Sequence, residues 1–131
     1  MNLNYFKNEY VEIWREDGII STRFLNDATI DLGKAKIIVQ ARLNMHEGEE
    51  YPVIAYGFKL KYADREALLC MSKGNAIKHV SAGAIVVTNP VHRVLARFFL
   101  TIGKPPIQSK VFENKEDAVE WFKSINVLDS K

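Results

Sequence analysis

Hydrophobic and polar positions along this chain switch between two periods. From Tyr10 to Arg15 they alternate in twos, with Val11 and Ile13 on one side and Tyr10, Glu12 and Trp14 on the other. Successive strand side chains point to opposite faces, so this run predicts a strand. Asp17-Gly18 follows, a pair suited to the positive backbone angles of a tight turn, and Ile19 to Leu25 is rich in β-branched and aromatic residues. Together they predict an N-terminal hairpin.

Beyond the hairpin the period lengthens. Asn26 and Asp27 are residue types that cap a helix start, and Ala28 to Met45 carries mostly good helix formers before an acidic loop around Gly48. Lys34 to Asn44 nearly alternates, but Ile38 and Val39 break the alternation. Ala35, Ile38, Val39 and Arg42 recur at helical spacing, with the Arg42 stem on the margin of the apolar stripe, so a helix is predicted. Tyr51 to Phe58 is a short apolar run with Pro52 near its start, which predicts a buried strand. Asp64 is placed to cap a helix through Lys73, with Ala67, Leu68 and Met71 on one face and Gly74 as a left-handed C-terminal cap.

The best-punctuated stretch comes last. Asn75 to Ala82 reads as a connector, and Gly83 to Asn89 is apolar on both faces, as in a strand covered from both sides. Asn89 can cap the next helix with Pro90 at its first position, where a missing N–H costs nothing. Val91, Val94, Leu95, Phe98 and Ile102 then follow helical spacing and are expected to face the core, and Gly103 with Lys104-Pro105-Pro106 ends the helix. Gln108 to Phe112 reads as a strand. Asn114 caps a final helix with Glu116 and Asp117 in its first turn and Ala118, Trp121, Phe122 and Ile125 on its packed face. The order ββαβαβαβα predicts a layered α/β domain: a mixed, partly parallel sheet of about five strands with about four helices.

Composition changes this picture little. At 131 residues the chain suffices for one domain, 1–131, and a net charge of +2 does not point to nucleic acid. The single cysteine, Cys70, excludes an intramolecular disulfide framework. The N-terminus lacks the apolar centre of a secretion signal, and the longest strictly apolar runs fall far short of the roughly twenty residues that span a bilayer. A cytoplasmic protein without a membrane span is the expectation.

The segment AIVVTNPVHRVLARFFLTIGKPPIQSKVFENKEDAVEWFKSI supplies a further mark. An apolar strand leads through a turn into a helix with paired Phe98-Phe99. A Lys-Pro segment, Val111-Phe112-Glu113 and a helix with Ala118 and Trp121-Phe122 follow. This looks like the STAS-like superfamily, and within it small bacterial proteins related in fold to the sporulation anti-sigma-factor antagonist. The resemblance implies the α/β fold above. Its members include phosphorylated switches, transporter appendages, lipid-binding relatives and many of unknown role. In the phospho-switch branch a Ser or Thr opens the helix after the strand at Tyr51 to Phe58. Here that place reads Lys61-Tyr62-Ala63-Asp64, so that role does not carry over.

Candidate chemistry is sparse. His46, His79, His92 and Cys70 share no metal-ligand spacing, and the chain holds no glycine-rich phosphate loop, Gly-x-Ser-x-Gly elbow or Cys-x-x-Cys. No catalytic residue, metal or cofactor is assigned, and a non-enzymatic binding or regulatory module is expected. Its site is placed where Thr88-Asn89 ends a central strand and opens a helix, since crevices at strand carboxyl ends and free helix N–H groups favour anions. His92, Arg93 and Arg97 add cations there; a solvated basic helix face is the plain alternative. Phe99 and Leu100, outside the expected inward stripe, suggest an interface with a protein partner or in a homodimer; a helix buried on two sides is the alternative. The other functional reading is a small anionic ligand or lipid in the crevice at Thr88-Asn89 and the loop Lys59 to Asp64. Trp14 and Trp121 are assigned to the core, and nucleic acid is not expected.

Overall fold

The computed structural model describes residues 4–129, the side chains at positions 102 and 103 apart. The hairpin forms as the pattern predicts. β2 (Val11–Glu16) and β3 (Ile19–Phe24) pair antiparallel, and Asp17 and Gly18 take φ of 55° and 78° between them. A short β1 (Tyr5–Lys7) adds to the outer edge of β2.

Asn26 and Asp27 do not open a helix. Both adopt left-handed backbone, with φ of 58° and 52°, and turn the chain into β4 (Ala28–Ile30). Asn and Asp reach this region at lower cost than other side chains. Ala28 and Ile30 are buried with Thr29 exposed between them, a strand's alternation. The helix α1 (Leu32–His46) begins afterwards, capped by the Asp31 carboxylate, which accepts from the Lys34 N–H at 2.9 Å. Ala35, Ile38, Val39 and Arg42 form its buried face, at the expected spacing. Arg42 is not marginal but only 5% exposed.

β5 (Tyr51–Tyr56) ends at a turn carrying Gly57 and an exposed Phe58. β6 (Leu60–Ala63) follows where no strand is predicted. It pairs in parallel with β4 as a separate two-stranded ladder, so each of these short strands finds its partner only through the tertiary fold. Asp64 caps α2 (Arg65–Cys70) by accepting from Ala67 N–H. This helix stops short of Lys73, and Gly74, at φ 59°, opens a 3-10 turn, Gly74–Ala76. β7 (Val80–Val86) starts three residues before the expected Gly83. α3 (Pro90–Gly103), β8 (Ser109–Phe112) and α4 (Lys115–Ser124) complete the order, and the caps Asn89 and Asn114 are those the sequence predicts.

The main sheet runs β1-β2-β3-β5-β7-β8, one strand more than expected. It is antiparallel through β3 and parallel from β3 to β8. Its two faces carry separate cores. On one, Val11, Ile13, Ile20 and Phe24 pack with Ala35 and Ile38 of α1 and Ala67 and Leu68 of α2, while Leu95 and Phe99 of α3 lie against this cluster. On the other, Ile54, Ala82, Ala84 and Val86 receive Ala118 and Phe122 of α4, both fully buried. Among the described residues no helix is long and apolar enough to cross a membrane.

Candidate functional site

The helix α3 meets the sheet through a face the hydrophobic spacing does not select. Val91, Val94 and Phe98 are 72%, 69% and 45% exposed, whereas Ala96 is buried and His92, Leu95 and Phe99 turn toward the sheet. Relative to the expected stripe, the inward face is rotated by about one residue step, ~100°. Leu95 belongs to both faces. The expected core role of Val91, Val94 and Phe98 is therefore corrected, and the stripe's Ile102 lies outside the described side chains.

Beneath this face the packing is open. The strand positions opposite α3 include Ala55 and Gly83, which carry little or no side chain, and Leu95 and Phe99 do not fill the space above them. Two adjoining cavities result. One, of about 110 Å³, lies among Phe24, Leu60, Leu68, His92, Leu95 and Ala96. The other, of about 140 Å³, lies among Thr22, Ile38, Arg42, Val53, Leu100, Ile107 and Ser109. Ala55, Met71, Ile85 and Phe99 line both, so the two are neighbouring parts of one crevice. The odd-numbered face of β7, with Gly83 and Ile85, is half-buried because it borders this space.

At the α1 side of the crevice sits a buried polar cluster. Arg42 Nη1 donates to His46 Nε2, and Nη2 donates to the carbonyls of Asn75 at 3.0 Å and Ala76 at 2.7 Å. The guanidinium thus satisfies carbonyls of the 3-10 turn that helix geometry leaves free. Burial pulls the Arg42 pKa down to about 10. A guanidinium only donates and the Glu49 carbonyl only accepts, so His46 is the neutral tautomer protonated on Nδ1, which donates to Glu49 O at 3.0 Å. Burial, and then the Arg42 charge, push the His46 pKa down to about 4.

The predicted site residues are only partly brought together. Thr88 and Asn89 are exposed at the end of β7, but the Asn89 carboxamide oxygen is occupied in accepting the Val91 N–H at 2.7 Å. Arg93 pairs with Glu113, and the ion pairs among the described residues leave out Arg97, which is exposed. His92 points away from these cations into the first cavity, and its Nδ1 is buried without a hydrogen-bond partner. Phe99 and Leu100, expected at an interface, instead line the crevice, and Val91, Val94 and Phe98 occupy the outer face. Of the loop Lys59 to Asp64, Leu60 is the residue that reaches the cavity wall. Trp14 and Trp121, assigned to the core, are both half-buried, one stacked on Tyr56 and the other against Phe112 and Phe122. Among the described residues no group of three or more histidine, cysteine or acidic side chains converges as metal ligands do.

Arg42 is the site residue that sequence reasoning passes over. Its only signal is position, a charged residue on the apolar stripe of α1, and long side chains at such margins ordinarily reach out to solvent.

Residues 13–126 match the model of a family described as a domain of unknown function, DUF7793. The chain matches no curated protein. Among solved structures it is similar to the crystal structure of an uncharacterized protein from the DUF3478 family with a SpoIIAA-like fold, from Shewanella loihica PV-4. The TM-score is 0.60 at 16% sequence identity, covering 88% of this chain and 97% of that one. The likeness shows the fold, and it is the STAS-like architecture that the segment after Ala82 resembles.

Proposed function

The chain belongs to the domain-of-unknown-function family DUF7793, and we propose that it is a non-catalytic binding module that takes a small apolar molecule between α3 and the sheet. The observation that carries this reading is the pair of adjoining cavities, of about 110 and 140 Å³, beneath the helix. A cavity of ~150 Å³ lined by aliphatic and aromatic side chains accepts a benzene-sized molecule. An occupant with hydrocarbon surface would cover apolar wall that otherwise faces water in this partly open crevice.

Benzene is the simplest probe. Titrated while methyl resonances are followed, it is expected to shift Met71, Ile85, Leu95 and Leu68, which line the first cavity, and to leave the Val91 and Val94 methyls on the outer face unmoved. Shifts confined to the outer face, or none at saturation, refute the reading.

The outer face of α3 supports a second reading. Val91, Val94 and Phe98 expose an apolar strip with Arg97 beside it, a surface suited to a partner protein or a second copy of the chain. Native mass spectrometry separates the two readings, since a retained small molecule and a higher oligomer differ in mass.

A further inference from the structure

We propose that the molecule held under α3 is an amphipathic monocarboxylate, its hydrocarbon against Phe99 and Met71 and its carboxylate received by Arg42; this deepens the apolar-binding reading and rests on it.

The first observation is a charge without a counter-charge. Arg42 is 5% exposed, yet the ion pairs among the described residues, Arg15–Glu47, Arg23–Glu12, Arg93–Glu113 and Lys123–Glu120, leave it out. Its acceptors are all neutral: one imidazole nitrogen and two backbone carbonyls. A guanidinium carries five N–H donors. Three bonds are made among the described residues, which leaves donor capacity for an anion. A buried charge is costly unless it is paired as well as hydrogen-bonded, and a single anion completes this site.

The second observation is where the charge lies. Arg42 lines the second cavity together with the hydroxyl residues Thr22 and Ser109, whereas the first cavity is walled by Phe24, Leu60, Leu68 and Leu95. Ala55, Met71, Ile85 and Phe99 are common to both. Arg42 Nη2 is held by the carbonyl of Ala76, itself a residue of the second cavity's wall, so the charge lies at that end and the crevice has an apolar end and a cationic one, the polarity of a short-chain acid.

The third is preorganisation. Arg42 is already desolvated and fixed by α1, by His46 and by the carbonyls of the 3-10 turn. An arriving carboxylate gains a charge-assisted hydrogen bond without the cost of stripping water from the cation or ordering its side chain. One cation matches one negative charge. A doubly charged phosphate would bury a net negative charge among apolar walls, so the carboxylate is the better fit.

The test compares octanoate, 1-octanol and octylamine, three molecules of matched tail, by calorimetry on the whole chain near neutral pH. Octanoate is expected to bind at least ~10-fold more tightly than 1-octanol, the effect of one charged hydrogen bond, and octylamine more weakly than either. In Arg42→Gln the preference for the acid disappears while the affinity for 1-octanol is retained. Because that substitution leaves the Asn75 and Ala76 carbonyls short of donors and can unfold the protein, the wild-type ranking is the deciding measurement. If 1-octanol binds as tightly as octanoate, the Arg42 assignment is overturned and the apolar crevice stands. If none of the three binds, both readings fall together.

Discussion

Acidification sets the folded and unfolded states of His46 against each other. In the fold the imidazole is fully buried and both nitrogens are committed, Nε2 as acceptor from Arg42 and Nδ1–H as donor to Glu49 O. A second proton must go onto Nε2. It would break the bond from Arg42 and place a like charge beside the guanidinium, in a site closed to water. Burial is the larger cause and the Arg42 charge the next in pulling the pKa from 6.5 down to about 4. The sign follows from proton counts. Above the unfolded value neither state binds a proton here; between the unfolded and folded values only the unfolded chain does, so stability is lost as the pH falls through that window. At 1.36 kcal/mol per pKa unit the loss is about 2–3 kcal/mol by pH ~4.5. Urea midpoints of the wild type and His46→Gln at closely spaced pH values measure it. Glutamine offers Arg42 a carbonyl acceptor but does not titrate, so its curve starts lower and runs flatter through the window. Glu12, held below its usual range by the Tyr5 hydroxyl and then Arg23, stabilises the fold above 4.5 and loses that contribution on further acidification. It is present in both proteins and cancels in their difference. Parallel curves for the two proteins would refute the assignment of the acid-sensitive step to His46.

Two further outcomes test the packing around the crevice. A β-carbon on Gly57 would lie 2.8 Å from Val87 Cγ1, and the Gly57 N–H is tied to Val86 O at 3.1 Å, so the backbone has little freedom to retreat. Gly57→Ala is expected to cost about 1–3 kcal/mol by urea unfolding, and a neutral effect would show that the wall yields. On α3 the adjacent phenylalanines should behave oppositely. Phe98→Asp, on the exposed face, should change stability by no more than ~0.5 kcal/mol, while Phe99→Ala should cost about 2–3 kcal/mol. The reverse ranking would restore the orientation in which Val91, Val94 and Phe98 form the core.

Local polar signals read true where they act within a few residues. Asp64, Asn89 and Asn114 cap the helices they precede in sequence, and Asp17-Gly18 turns the hairpin, because each satisfies backbone needs close by in the chain. Signals that depend on distant partners were silent. β4 and β6 are three and four residues long, too short for a period to emerge, and exist as a ladder only with each other. The burial of Arg42 rests on carbonyls 33 and 34 positions further along. The Asn26-Asp27 pair was ambiguous in principle, since the residues that cap helices also tolerate left-handed turns.

The orientation of α3 was the least legible feature, and for a reason that bears on function. Its apolar residues form a stripe too broad to fix which part faces inward, so spacing favours the largest side chains, whereas the one buried among this helix's described side chains is small, Ala96, at 6% exposure. α4 shows how this chain closes a layer. Phe122 seats against Ala82 and Ala84 of β7, a large side chain over small ones, and is fully buried. On the opposite face α3 also meets small residues, Ala55 and Gly83, but Phe99 stays half-buried at the wall of a cavity. The same strand β7 thus carries one closed layer and one open layer. Filling the open one needs only larger side chains at Ala55 or Gly83, where a β-carbon on Gly83 would meet its neighbours at ordinary contact distances of 3.5 and 3.7 Å. Gly83→Val therefore separates the possibilities. If the space is a packing fault, filling it stabilises the protein and alters nothing else; if it is the binding crevice, the same stabilisation abolishes octanoate binding, because Gly83 lines the cavity that Arg42 borders.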